Sequence, residues 1–303
     1  MQAPIDAIKS GRYSARPLAP QAGFTMKNRG IVTVAALLLG ITAAVAGPRD
    51  LLVFYPGAPG SPEDAASVMA EFGAYLAKAA GWPTGSLKVS FENDLESGLG
   101  AINKDKPGFA LVGLPVYLAQ AGKLKLKLVA QTLPAGRKTD GYYILGRKAD
   151  GPANLNAAKG LKLISNLLYD KTFVSRVVLG GLDVEKNFKL KEVSSGLRAI
   201  KQVVSEEKKA DLVLLDQHQH DSLATLDEAK LLKQVHRSPD LPTVPLVALE
   251  GVATDADIAA LKKALLGMGA DSSTQALRET MTLTGFAEPD TAAYDAARKL
   301  YGE

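Results

Sequence analysis

Three histidines and no cysteine set the limits of the chemistry open to this chain. Without thiols there is no disulfide, no thiol nucleophile and no cysteine metal site. His218-Gln219-His220 would put two imidazoles on one side if extended, with Asp221 or His236 as a third ligand. Metal sites need three or four converging ligands, so these residues are read as solvated loop histidines, and neither metal nor cofactor is expected. No Gly-x-Ser-x-Gly elbow, Gly-x4-Gly-Lys phosphate loop or His-Glu-x2-His pair is present. Gly98-Leu99-Gly100 lacks the third glycine of a dinucleotide motif and lies inside a helical pattern. The chain is therefore read as a binding protein and not an enzyme.

The polar residues best placed for binding sit at the ends of apolar runs. In Ala210-Asp211-Leu212-Val213-Leu214-Leu215-Asp216-Gln217, four apolar residues lie between two acids. Such a run, without alternation, suits a central strand of a parallel sheet. Ligands of open α/β sheets bind beyond the carboxyl ends of such strands, where Asp216 and Gln217 fall. A helix cap or an interlobe hydrogen bond would account for this pair almost as well. Phe109-Ala110-Leu111-Val112-Gly113-Leu114-Pro115 has the same form in the first half of the chain. Tyr55 and Tyr117 occupy strand-end and following-helix positions there, offering apolar area and a hydroxyl, or plain packing. Ser194 and Ser195 precede Gly196 at a helix start, as anion-holding amides or as simple caps. Asn166 and Tyr169 lie in the loop after another strand and complete the candidate ligand contacts.

Charge points away from nucleic acid. Residues 1–46 carry Lys9, Arg12, Arg16, Lys27 and Arg29 against Asp6 alone, which accounts for the whole net charge of +4. A body without basic excess lacks the means to neutralise a phosphate backbone. Met26-Lys27-Asn28-Arg29, the apolar stretch 31–45 and Ala44-Val45-Ala46 form the three parts of a secretory signal peptide over 26–46. An uncleaved anchor is the alternative. Residues 1–25 have no periodicity and are read as a non-native or disordered extension. The expected location is the periplasm.

The elements that must position these residues alternate strand and helix. Strands are expected over 51–55, 87–91, 109–112 and 141–145, with helices opening at Ser61 and at Asn93-Asp94-Leu95-Glu96, a capping-box pattern. Lys123-Leu124-Lys125-Leu126-Lys127-Leu128 reads as a strand with lysines in water. The pattern restarts near Leu155, with strands at 161–164, 188–193 and 211–215 and helices at 172–179 and 196–207. Strands at 232–236 and 244–249 carry the chain back, and three helices follow over 255–266, 273–283 and 290–301. Two βαβ sets imply two lobes: residues 47–145, residues 146–240, and a return segment 241–303 packing mainly on lobe 1.

This layout resembles the phosphate/phosphite/phosphonate-binding family of periplasmic proteins that serve ABC importers. The resemblance rests on Gly108-Phe109-Ala110-Leu111-Val112-Gly113-Leu114-Pro115-Val116-Tyr117, on Leu197-Arg198-Ala199-Ile200 with Ala210-Asp211 and Asp216, and on Ser238-Pro239-Asp240-Leu241-Pro242-Thr243-Val244-Pro245. It implies an α/β fold of two lobes, each a mostly parallel sheet flanked by helices, joined by two crossover strands. It also implies a monomer that traps a small oxyanion and meets a membrane permease. Where the family has a Ser-Thr-rich loop, this chain reads Ser165-Asn166-Leu167-Leu168-Tyr169-Asp170-Lys171-Thr172. The family's histidine falls at about Val193, and its aspartate before the lobe 1 strand falls at Gly108. With Leu167 and Leu168 in that loop, a less polar or lipid-like ligand, or a sensor role in the envelope, is the alternative.

Overall fold

The computed structural model describes residues 49–302; the expected extension over 1–25 and signal peptide over 26–46 lie outside them. The first lobe opens with β1 (Leu51–Phe54), α1 (Pro62–Ala79), β2 (Val89–Glu92), α2 (Leu95–Lys104), β3 (Phe109–Val112), α3 (Leu114–Leu124) and β4 (Leu126–Thr132). A short crossover strand β5 (Thr139–Asp140) leads to β6 (Tyr142–Arg147), β7 (Lys162–Ser165), a π-helical turn at Phe173–Val178, α4 (Val184–Asn187), β8 (Lys189–Glu192), α5 (Gly196–Val204), β9 (Leu212–Asp216), α6 (Gln217–Ser222) and β10 (Leu232–Arg237). The second crossover, β11 (Leu241–Pro242), returns the chain to β12 (Pro245–Leu249), α7 (Asp255–Met268), α8 (Gln275–Thr280), β13 (Phe286–Ala287) and α9 (Thr291–Tyr301).

The lobe 1 sheet has the order β13-β4-β12-β3-β1-β2 and the lobe 2 sheet β10-β6-β9-β7-β8. The two crossovers pair antiparallel, Leu241 against Asp140 and Pro242 against Thr139. In lobe 1, β1 pairs parallel with β2 and β3; in lobe 2, β7 pairs parallel with β8 and β9. The strands that follow the crossovers are the exceptions, together with the short edge strand β13, antiparallel to β4. β6 enters lobe 2 antiparallel between β9 and β10, and β12 enters lobe 1 antiparallel between β3 and β4. The reason is geometric. The parallel strands run toward the cleft, so a chain crossing at the cleft enters the other sheet from its carboxyl edge and must run backward.

Local signals explain the boundaries. Ser61 caps α1 with a reciprocal bond to Asp64, and Asp94 caps α2 by accepting from the Ser97 amide. Asn93 instead holds the preceding loop, donating to the Ala58 and Gly60 carbonyls at 2.9 and 2.7 Å. The expected strand from Lys123 is corrected: α3 runs on to Leu124, Lys125 turns left-handed at φ +49°, and β4 begins at Leu126. The face carrying Leu118 and Ala121 continues to Leu124 at a spacing of three, so the helical period wins there. Lys127 is exposed, as expected of a lysine in water. The expected helix at 172–179 is a π-helical turn in which Phe173, Val174, Val177 and Val178 are all fully buried.

One apolar cluster runs without a break through both lobes, from Leu52, Phe54 and Val112 to Tyr142, Leu163, Leu167 and Phe173. A second lies on the other side of the lobe 1 sheet, where Phe72, Leu246 and Leu265 meet, and a third fills the outer face of the lobe 2 sheet around Ile200 and Val213. α9 touches both lobes. Its Tyr294 packs edge-on against Tyr117 at 5.5 Å and donates to the Thr243 carbonyl, while Tyr301 donates to Asp170 and accepts from Arg176. No helix among the described residues is long and apolar enough to cross a membrane.

Candidate functional site

The carboxyl ends of β1, β7 and β9 meet where the lobes face each other. Tyr55 follows β1, Asn166 follows β7, and Asp216 ends β9. The Tyr55 hydroxyl donates to Asp216 Oδ2 at 3.1 Å, joining lobe 1 to lobe 2. Asp216 Oδ1 accepts from the Gln219 amide at 2.8 Å, and the Gln219 side chain accepts from the Asp216 amide at 3.3 Å. This reciprocal pair starts α6. Gln219 then donates to Asn166 Oδ1 at 3.1 Å, and Asn166 donates to the Gly57 carbonyl at 3.4 Å, a second link between the lobes. Ser165 sets the loop that carries Asn166: its buried hydroxyl donates to Leu214 O at 2.7 Å and accepts from the Leu167 amide at 3.0 Å.

Asp216 is only 4% exposed, and among the described residues no lysine or arginine pairs with it. Burial raises its carboxyl above the usual range, opposed by the Gln219 amide, the neighbouring His218 and the Tyr55 hydroxyl. The phenols around it respond. Burial and then the Asp216 charge raise Tyr55 and Tyr142, while burial and then Asp170 raise Tyr169. Tyr142 stands directly across the sheet from Asp216. On the crossover strand, burial pushes Asp140 up to about 6 despite the Arg137 guanidinium beside it.

The other sequence candidates are placed as follows. Gln217 is turned into the crossover region, accepting from the Gly141 amide at 3.0 Å and the Tyr143 hydroxyl at 2.8 Å. Tyr117 lies under the cleft at 2% exposure, against Tyr294. Ser195 caps α5 by accepting from the Arg198 amide at 3.3 Å, and Ser194 is exposed. Tyr55, Asn166 and Asp216 are thus joined in one hydrogen-bonded network, and Tyr169 also feels the Asp216 charge after that of Asp170. The extended reading of the histidine segment is overturned: residues 217–222 are helical, so His218 and His220 point apart. His218 is exposed, while His220 stacks on Tyr143 at 3.8 Å. Among the described residues no group of three metal-ligating side chains forms.

Sequence reading missed Gln219, Gly57 and Tyr142. Gln219 was findable, because Asp216-x-x-Gln219 is a capping-box spacing. Gly57 and Tyr142 join only through the approach of the lobes and the β6–β9 register. The assembled groups are one carboxylate, two carboxamides and several phenols, a set suited to hydrogen bonding and holding a solute.

Comparison with known proteins bears on the family and the fold. No curated protein sequence matches the chain. The binding-protein component of a phosphonate ABC transporter from Pseudomonas aeruginosa is 18% identical over 84% of this chain and 85% of its own, with a TM-score of 0.65. A Prochlorococcus marinus protein solved in complex with methylphosphonate is 14% identical over 84% of this chain and 97% of its own, with a TM-score of 0.63. A Xanthomonas citri protein bound to chloride ion is 14% identical over 83% and 95%, with a TM-score of 0.67. These likenesses show the two-lobed periplasmic-binding-protein fold. The family described as "ABC transporter, phosphonate, periplasmic substrate-binding protein" matches residues 58–294, and the chain belongs to that family.

Proposed function

We propose that this protein works in the periplasm as a monomer, closes on a small phosphonate-class solute and presents it to the membrane permease of an ABC importer. The family supports the transport role, and the methylphosphonate held by the Prochlorococcus relative supports the solute class. The observation that carries the reading is the pairing of Tyr55 and Asp216 across the lobes. A solute lodged there would touch both lobes at once and so favour the closed state. The groups serve binding, not catalysis, and nucleic acid is not a partner.

Asp216 narrows the solute class. A buried carboxylate without a cation opposes a bare dianion by like-charge repulsion. A phosphonate whose organic end carries an ammonium would satisfy Asp216 and is the favoured solute. The lipid-like alternative loses its sequence argument, since Leu167 and Leu168 are each 2% exposed and belong to the core. Titration calorimetry with aminoethylphosphonate, methylphosphonate and inorganic phosphate tests the reading. Binding in that order of affinity is expected; heat from none of the three sinks it.

A further inference from the structure

The outer face of α5 carries a polar groove apart from the cleft. Ala199, Ile200 and Val203 of this helix are buried in the apolar cluster of lobe 2, which turns the opposite stripe to solvent. Ser195, Arg198, Lys201, Gln202 and Ser205 follow one another along that stripe at helical spacing, and Lys209 of the next loop extends it. Together they line a groove of about 410 Å³, open to solvent. From Ser195 to Ser205 it runs roughly 15 Å, at about 1.5 Å per residue. We propose that this groove seats an acidic extracytoplasmic segment of the membrane permease. In naming the permease as occupant we rely on the transport role proposed above.

Charge selects the chemistry of the occupant. Arg198, Lys201 and Lys209 are exposed, and among the described residues neither Arg198 nor Lys201 has an acid at ion-pair distance. Lys209 pairs with the exposed Glu207 at 2.5 Å, a surface contact of small worth that a partner's acid can replace. Lys191 of β8 adds a cation at the groove's edge, donating to Gln202 Oε1 at 2.7 Å. Position selects the permease. The Val193 amide donates to Ser165 O at 3.1 Å, and an added Cβ on Gly196 would meet the Gln219 side chain at 2.8 Å, so α5 starts at the cleft rim. Leu197, 46% exposed, stands at that end. A transporter that takes solute from the cleft mouth reaches this end of the groove first. An anionic lipid surface fits less well. Residues 141–240 hold 16 lysines and arginines against 13 acids, but residues 49–140 and 241–303 hold 15 against 18. A membrane that attracts lobe 2 would therefore repel lobe 1, whereas a narrow segment meets the groove alone. At about 3.3 Å per residue, four or five extended residues span it.

Crosslinking in the cells that make the protein tests the proposal. A photoreactive benzoylphenylalanine replaces the exposed Leu197 in the full chain. The expected product joins it to a permease subunit, within a segment rich in aspartate and glutamate identified by mass spectrometry. Arg198→Glu and Lys201→Glu together should lower the yield about 10-fold or more, because like charges then face each other across the contact. Lysines placed at the crosslinked acids of the permease should restore it. Circular dichroism confirms that the doubly substituted protein is folded. No product, or a product with lipid, a second copy of this chain or a protein that is no permease, overturns the proposal. So does a yield that survives the double substitution. Calorimetry with aminoethylphosphonate, methylphosphonate and inorganic phosphate is run on the same protein. A permease product without heat sinks the solute class and leaves the groove standing; heat without a permease product sinks the groove alone.

Discussion

Tyr55 and Asp216 are 161 residues apart in the chain, yet the phenol of one donates to the carboxylate of the other at 3.1 Å. Tyr55 leaves the central strand of one three-strand parallel run and Asp216 ends a strand of the other, so the bond marks where two carboxyl edges face each other. No lysine or arginine pairs with Asp216 among the described residues, so the phenol of the opposite lobe is a donor that it needs.

Replacing Asp216 should change selectivity more than stability. Asparagine caps helices about as well as aspartate, so α6 should persist in Asp216→Asn. Preference for aminoethylphosphonate over methylphosphonate should fall about 10-fold or more, the size of one lost charge-assisted bond. Calorimetric affinities for the two solutes measure this; an unchanged ratio would place the solute's amine elsewhere.

Asp140 should make stability depend on pH. Its carboxyl is raised from 3.8 to about 6 by burial, against the pull of Arg137 and together with the charges of Asp216 and Asp221. The folded state therefore holds a proton that the unfolded chain releases. The contribution is fully present below about pH 4 and is lost as pH rises through 6, by at most about 3 kcal/mol. Asp140→Asn should remove that slope. Denaturant unfolding of both proteins at pH 4 and pH 7 gives the comparison, and parallel curves would refute it.

Gly98 should tolerate no side chain. It lies inside α2 directly over the ring of Phe54, which is fully buried, and an added Cβ would overlap that ring. Gly98→Ala should cost about 1–3 kcal/mol through overpacking. At about 2–4 °C per kcal/mol for a chain of this size, a scanning melt should read the loss easily. A midpoint equal to that of the unsubstituted protein would mean that Phe54 can shift.

Ser165→Ala should loosen the loop that carries Asn166. It removes a buried hydroxyl that serves both Leu214 O and the Leu167 amide. The two stranded groups should cost about 1–3 kcal/mol. Hydrogen exchange should accelerate at Leu167 first; unchanged protection there would assign the loop's order to apolar packing alone.

The sequence by itself determined much of the architecture. The unbroken apolar runs at 109–112 and 212–215 read as central strands because both faces of each are covered, whereas the restart near Leu155 came late: the second sheet already holds β6 from Tyr142, a strand that the reading put in lobe 1. Ser61 and Asp94 announced their helices because a cap is a local bond within three residues. The tertiary structure decided what local rules cannot reach. Period-2 alternation from Lys123 lost to a helix whose buried face continued to Leu124. His218 and His220 were parted because Asp216 and Gln219 nucleate a helical turn there. Leu167 and Leu168 went into the core instead of lining the cleft, because the apolar layer runs through both lobes. Above all, Asp216 and Asn166 each take one partner from the opposite lobe, Tyr55 and Gly57. A sequence can place an acid at the end of a strand, but only the closing of two sheets, edge to edge, chooses which side chain meets it.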